Sequence, residues 1–153
     1  MAIEEVKKYF SRFNMEDKIK ELENSSATVE LAALALNVEP DRIAKTLSFM
    51  VGDKPILIVT SGNSKIDNSK YKAAFHKKAK MMTPEEVFNI TGHKIGGVCP
   101  FALKERVEVY LDNSLKKYET VYPAAGSSNS AIELTIEELE KFANPILWVD
   151  VCK

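Results

Sequence analysis

Long apolar runs are missing from this 153-residue chain. Runs such as Pro55 to Val59 and Ile146 to Val149 fall far short of the roughly 18 residues that a membrane-crossing helix needs. Met1 to Lys8 alternates charged and apolar side chains and lacks the apolar core of a signal peptide, so export is not expected and the cytoplasm is the expected compartment. Cysteine is scarce: Cys99 and Cys152 form neither a CxxC pair nor a Cys/His ligand spacing, so no disulfide framework, metal site or cofactor is expected. A charge excess of either sign is also lacking, since the net charge is −1, which argues against indiscriminate nucleic-acid binding, with no DNA partner expected, and leaves local patches to serve a large anionic partner. What is present, 45% hydrophobic and 28% charged residues, describes one ordinary globular domain over residues 1–153 without internal repeats.

Hydrophobic periodicity divides the chain into short helices and strands. Ile3, Val6, Phe10 and Phe13 recur at helical spacing and predict a first helix ending near Asn14. Ile19 to Glu23 reads as a short edge strand. Thr28 is placed to cap a second helix running to Leu36, which Asn37 ends in a left-handed turn. Ile43 to Met50 and Lys54 to Thr60 flank Val51-Gly52-Asp53 and predict a hairpin whose second strand is central. Ser69 to Phe75 reads as a short helix, and Thr83-Pro84-Glu85-Glu86 combines a cap, a proline at the first helical position and a capping-box glutamate. Val107, Val109 and Leu111 predict a half-exposed strand, followed by a helical turn through Leu115. Glu119 to Tyr122, Ser130 to Leu134 and Ile146 to Val151 supply further strands, and Thr135 opens a last helix with a second capping box. Strands joined this tightly imply an α+β fold with a mixed, mostly antiparallel sheet.

Two features stand out chemically. Gly92 to Pro100 carries three glycines in six positions, which leaves backbone N–H groups unshielded; it reads either as a plain turn or as a donor loop facing an anionic or carbonyl oxygen. Lys45 sits in a strand otherwise suited to burial, where it either snorkels to the sheet edge or faces a ligand cleft. His93 and Cys99, six positions apart, raise the alternative of a cysteine hydrolase, although no third orienting residue is evident. Lys65, Lys70, Lys72, Lys77, Lys78 and Lys80 face only Asp67 over the same stretch, either as a solvated face or as a contact for RNA phosphates.

Ile43-Ala44-Lys45-Thr46-Leu47, then Gly62-Asn63 with Ile66-Asp67, then Gly92 and Gly96 to Phe101, together resemble the YbaK/ProX/EbsC family, which is related to the editing insertion of bacterial prolyl-tRNA synthetase. The resemblance runs from about Thr28 to Leu139. It implies a sheet of about six to seven strands, partly barrel-like and surrounded by helices, and hydrolysis of the ester bond of mischarged aminoacyl-tRNA without a metal. The family's lysine falls on Lys45 and its GxxxP loop on Gly96 to Pro100, so Lys45, Gly96 and Gly97 are the implied catalytic residues. Thr28, Val98, Cys99, Pro100, Gly126 and Ser127 are the implied substrate contacts, with Thr28 equally readable as a plain helix cap. The late loop Gly126 to Asn129 lacks the basic residue that relatives often carry. Lys65, Lys70 and Lys72 are candidate tRNA contacts, and prolyl-tRNA synthetase is a candidate partner. Family members act on tRNA(Pro) carrying cysteine or alanine, or on other small amino acids. They include a branch linked to surface-protein expression, which leaves a non-catalytic nucleotide- or tRNA-binding module as the alternative.

Overall fold

A computed structural model describes residues 2–153. In chain order these form α1 (Ala2–Ser11), β1 (Ile19–Glu21), α2 (Val29–Leu36), β2 (Ile43–Val51), β3 (Lys54–Ser61), α3 (Asn68–Phe75), α4 (Pro84–Thr91), β4 (Glu108–Asp112), β5 (Thr120–Pro123), β6 (Ser130–Ile132), β7 (Leu134–Thr135), α5 (Ile136–Ala143) and β8 (Leu147–Val149). Local side-chain chemistry sets the helix ends. Thr28, Thr83 and Thr135 each accept a hydrogen bond from the backbone N–H three residues on, and Glu86 and Glu138 complete reciprocal capping boxes that satisfy donors left orphaned by the helix. Asn37, Gly92 and Asn144 end their helices in the left-handed conformation.

Six strands make one sheet, curled into a half-barrel, in the order β7-β5-β2-β3-β4-β8, and β1 pairs with β6 beside it. The pairs β2–β3, β5–β7 and β1–β6 are antiparallel; β2–β5, β3–β4 and β4–β8 are parallel. The β2–β3 hairpin is the longest ladder, from Ala44 opposite Ser61 to Val51 opposite Lys54, and it turns at Gly52 with φ 62°.

β3 is covered on both faces, which explains its unbroken Ile56-Leu57-Ile58-Val59 run. Leu57 and Val59 pack with Ala44 and the α1 and α5 side chains Val6, Phe10, Leu139 and Phe142. Ile56 and Ile58 pack on the other face with Phe49, Tyr71 of α3 and Tyr110. Burying each such side chain contributes about 1.5–3 kcal/mol.

Three strands differ from the sequence expectation. β4 is buried over Val109–Asp112 rather than half-exposed, because it lies inside the sheet between β3 and β8 and its two faces feed the two cores. The expected strand over Ser130–Leu134 divides into β6 and β7, which pair with different partners, β1 and β5. The last strand stops at Val149, beyond which Asp112 Oδ1 accepts the Val151 N–H at 2.8 Å and draws the chain out of register.

One irregularity positions the site. On the outer edge of β2, β5 pairs only with Ile43 and Ala44. Farther along the same edge Met50 N–H donates to Lys80 O (2.9 Å) and Met82 N–H to Ser48 O (3.0 Å). Between them, at Lys45–Leu47, no described strand lies opposite. The two-residue period of a strand puts the Thr46 N–H and C=O on this open edge with those of Ser48.

Candidate active site

The open edge of β2 floors a cleft of about 210 Å³. Its walls are Ser26, Ala27 and Thr28 at the start of α2, Ile95, Gly96 and Val98 of the glycine loop, and Met81, Met82 and Val87 beyond α3. Apart from Lys45, the side chains around it are uncharged.

Lys45 lies on the α3 side of β2 and is only partly exposed. Its ammonium group donates to Gly62 O (3.0 Å) and Ser64 O (2.5 Å), and no carboxylate pairs with it among the described residues. Burial lowers its pKa from the ordinary lysine value, because a desolvated ammonium loses hydration that two carbonyls only partly replace. The lysine is therefore held in place without being neutralised by a counter-ion.

The turn that holds it is itself held. Asp41 Oδ1 accepts the Asn63 N–H at 3.0 Å, and Asp41 Oδ2 accepts from Lys117 Nζ (2.7 Å) and Tyr118 Oη (2.9 Å). Burial pushes the Asp41 carboxyl upward, but the bonds from Lys117, Asn63 and Tyr118, with a further one from Ser61, prevail and hold it at about 2. Gly62 passes so close to the Pro40–Arg42 turn that a Cβ on it would lie 2.0 Å from Pro40 O, so no larger residue fits there.

The opposite wall is built from backbone. Gly92 ends α4, the Gly97 N–H donates to Lys94 O at 2.9 Å, and Gly96 adopts φ 94°. A Cβ on Gly97 would come within 2.7 Å of Ser127 N. The loop thus seats directly on residues 126–128, which fixes Gly96 at the cleft.

Not all residues singled out from the sequence meet here. Lys45, Gly96, Val98 and Thr28 line the cleft, and the Thr28 hydroxyl also caps α2 by accepting the Leu31 N–H at 3.1 Å, so both of its readings hold. Gly97, Gly126 and Ser127 border a second cavity, of about 440 Å³. Pro100 lines a separate depression with Tyr9 and Phe142. Cys99 is 0% exposed and packs in the core with Phe101, because alternation along the loop sends Val98 to the cleft and the next side chain inward; its side chain is no substrate contact.

The cysteine-hydrolase alternative fails on the same geometry. Cys99 Sγ is 3.5 Å from His93 Nε2, but burial pushes the thiol up to about 12 and lowers the pKa of the imidazole. His93 is itself 1% exposed and shares Nε2 with Phe101 O at 2.8 Å. A reactive thiolate needs the reverse setting, an exposed and electropositive one.

Among the lysines, Lys70 donates to Asp150 Oδ1 (3.1 Å) and Cys152 O (3.0 Å), whereas Lys65 and Lys72 are exposed and outside every ion pair among the described residues. Sequence reasoning missed Asp41, whose partners are 22, 76 and 77 positions away. It also passed over Thr46 as a site residue; its Oγ1 is buried in the cleft wall with no hydrogen-bond partner. Its place next to Lys45 in a strand was the one available signal.

Fold and cleft together define a class, and comparison with known proteins identifies it. Residues 23–142 match the aminoacyl-tRNA editing domain, and the chain belongs to that family. It is 53% identical over 154 residues to the uncharacterized protein YwhH of Bacillus subtilis (strain 168), covering 100% of this chain and 98% of that protein. Proline--tRNA ligase of Aquifex aeolicus (strain VF5) is 34% identical over 90 residues, which are 58% of this chain and 16% of the ligase. Among solved structures, a candidate trans-editing enzyme for prolyl-tRNA synthetase superposes with a TM-score of 0.88 at 28% identity, over 99% of this chain and 97% of that one. No helix among the described residues is long and apolar enough to cross a membrane.

Proposed function

We propose that the chain, as a single cytoplasmic domain over residues 1–153, acts in trans to hydrolyse the ester that joins a wrong amino acid to the 3′ end of tRNA. The observation that carries this reading is the unneutralised ammonium of Lys45, fixed by Gly62 O and Ser64 O beside a cleft closed by Gly96. An aminoacyl ester is already activated, so its hydrolysis needs a placed water and stabilisation of the oxyanion.

In this scheme water adds to the ester carbonyl and the negative charge builds on the carbonyl oxygen, facing the backbone beside Gly96; the Gly97 N–H, which the sequence also put forward, is instead taken by Lys94 O and borders the second cavity. The tetrahedral species then expels the 3′-oxygen, which takes the proton released by water through the neighbouring 2′-hydroxyl. The products are the free amino acid and uncharged tRNA. Lys45 holds the terminal ribose or phosphate.

The cleft's uncharged walls and volume of about 210 Å³ suit a small, uncharged side chain. The likeness to prolyl-tRNA ligases and to a candidate trans-editing enzyme supports tRNA(Pro) carrying alanine or cysteine as substrate and prolyl-tRNA synthetase as a partner. A deacylation panel with tRNA(Pro) charged with alanine, cysteine or proline, run beside tRNAs carrying other small residues, tests the reading. Release of alanine or cysteine that Lys45→Ala abolishes supports it. Tight tRNA binding with no turnover on any substrate would favour the non-catalytic binding module instead.

A further inference from the structure

The proposed function leaves open which way the rest of the RNA leaves the cleft, and the charges around the open edge of β2 answer that. Residues 64–82 start and finish on β2: Ser64 O takes the Lys45 ammonium at 2.5 Å, and Lys80 O and Met82 N–H pair with Met50 and Ser48. Between these anchors α3 is pinned by Tyr71, whose ring centroid is 5.1 Å from that of Phe49. The segment is therefore a fixed arch beside the cleft.

Its exposed charged residues are lysines. Lys65, Lys72, Lys77, Lys78 and Lys80 are all exposed, and none joins an ion pair among the described residues. Lys65 is near enough to Lys45 for its charge to lower the pKa of that ammonium, and Lys80 adjoins the cleft residue Met81. Lys70, one of the lysines suspected from sequence, is instead spent on Asp150 and Cys152 O. On α4, beyond Met82, Glu86 is tied into its capping box, and Glu85 marks the end of the basic face.

The other flank has the opposite sign. Glu30 on α2 is near enough to raise the pKa of Lys45, and Glu39 lies on the same side, bordering one depression with Glu30. A phosphodiester backbone entering from that flank would meet carboxylates.

We infer that the arch formed by Lys65, Lys72, Lys77, Lys78 and Lys80 is the track for the phosphate backbone of the RNA acceptor end, which leaves the cleft across this arch and away from α2. This rests on the tRNA reading above but is separable from its chemistry. Phosphate contacts of this kind fix register and orientation and carry no base sequence.

The test compares Lys77→Ala/Lys78→Ala/Lys80→Ala with a control of equal charge on the α1–α5 side, Lys8→Ala/Lys18→Ala/Lys141→Ala. Binding of an uncharged acceptor-stem minihelix is measured from 50 to 200 mM salt, and turnover is measured on aminoacylated minihelix and on an aminoacylated CCA trinucleotide. The arch variant is expected to bind the minihelix about tenfold or more weakly at 50 mM salt, with a log–log salt slope shallower by about 2–3, as loss of three phosphate contacts requires. Its turnover of the trinucleotide should stay within about twofold of wild type, and the control should bind as wild type does. Equal losses in both variants, or unchanged binding by the arch variant, would overturn the track. If no substrate is turned over but the arch variant alone loses minihelix binding, the hydrolytic reading fails and the track stands.

Discussion

The two walls of the cleft are built by opposite means. The β2 wall depends on side chains: Lys45 is held by the 62–64 turn, and Asp41, Lys117 and Tyr118 hold that turn. The loop wall depends on the lack of side chains, since Gly97 lets the loop approach the Ser127 backbone more closely than any Cβ allows, and a Cβ on Gly96 would stand a tight 3.0 Å from the Ala27 Cβ. The first wall fixes a charge, and the second fixes a tight backbone turn at the cleft. Substitutions should therefore act through electrostatics on one side and through displacement on the other.

Lys45→Ala should have the largest effect. Removing the one cationic side chain in the cleft is expected to lower deacylation by about 10²–10³-fold, the scale seen when an electrostatic stabiliser is deleted. Unfolding stability should move by less than about 1 kcal/mol, since Gly62 O and Ser64 O can turn to water. Single-turnover rates with thermal melts on the same samples check this; retained activity would remove Lys45 from the reaction.

Gly97→Val attacks the other wall. The added side chain must displace either the loop or the backbone of Ser127, at a cost of about 1–3 kcal/mol. A shift of this kind near reacting atoms can slow turnover by about 10²-fold. The sharper comparison is with Gly52→Ala: the Cβ there meets only the Lys77 side chain at 3.6 Å, so this variant should stay active despite the strain at φ 62°.

Asp41→Asn tests whether the support of Lys45 matters to its function. Asp41 is held at about 2 against an ordinary 3.8, so its contribution to stability is present above the ordinary value and is lost as pH falls through about 2. With Lys117 half-exposed, that contribution is about 1–2 kcal/mol. The variant should melt earlier than wild type at pH 6, and the gap should close toward pH 2. If Asp41 positions Lys45 through Asn63, kcat should also fall severalfold to tenfold with little change in KM. A melting defect with unchanged kcat would confine Asp41 to stability.

How far these walls could be read in the sequence follows from the distance over which each is built. Thr28, Thr83 and Thr135 act on N–H groups three residues away, and Gly52 on its own hairpin, so all four were legible locally. Lys45 and Gly96 were legible as oddities, a charge in a buried strand and a glycine cluster, and the family resemblance gave them meaning. Asp41 was not legible, because its value comes from Lys117 and Tyr118, brought alongside only by the fold. The burial of β4 was hidden for the same reason: Tyr110 looks half-exposed until β8 pairs beside it.

Cys99→Ala should have the smallest effect, and it tests where the loop wall ends. The thiol is pushed up to about 12, so near neutral pH roughly one molecule in 10⁴ or fewer carries a thiolate. The side chain points into the core rather than the cleft. Turnover should remain within about twofold of wild type, while the small cavity left beside Phe101 lowers stability by about 1 kcal/mol. A deacylation assay and a melt on one preparation separate the two effects. Complete loss of turnover with the melt nearly unchanged would give the thiol a chemical role despite its burial, and the loop wall would then act through a side chain as the β2 wall does.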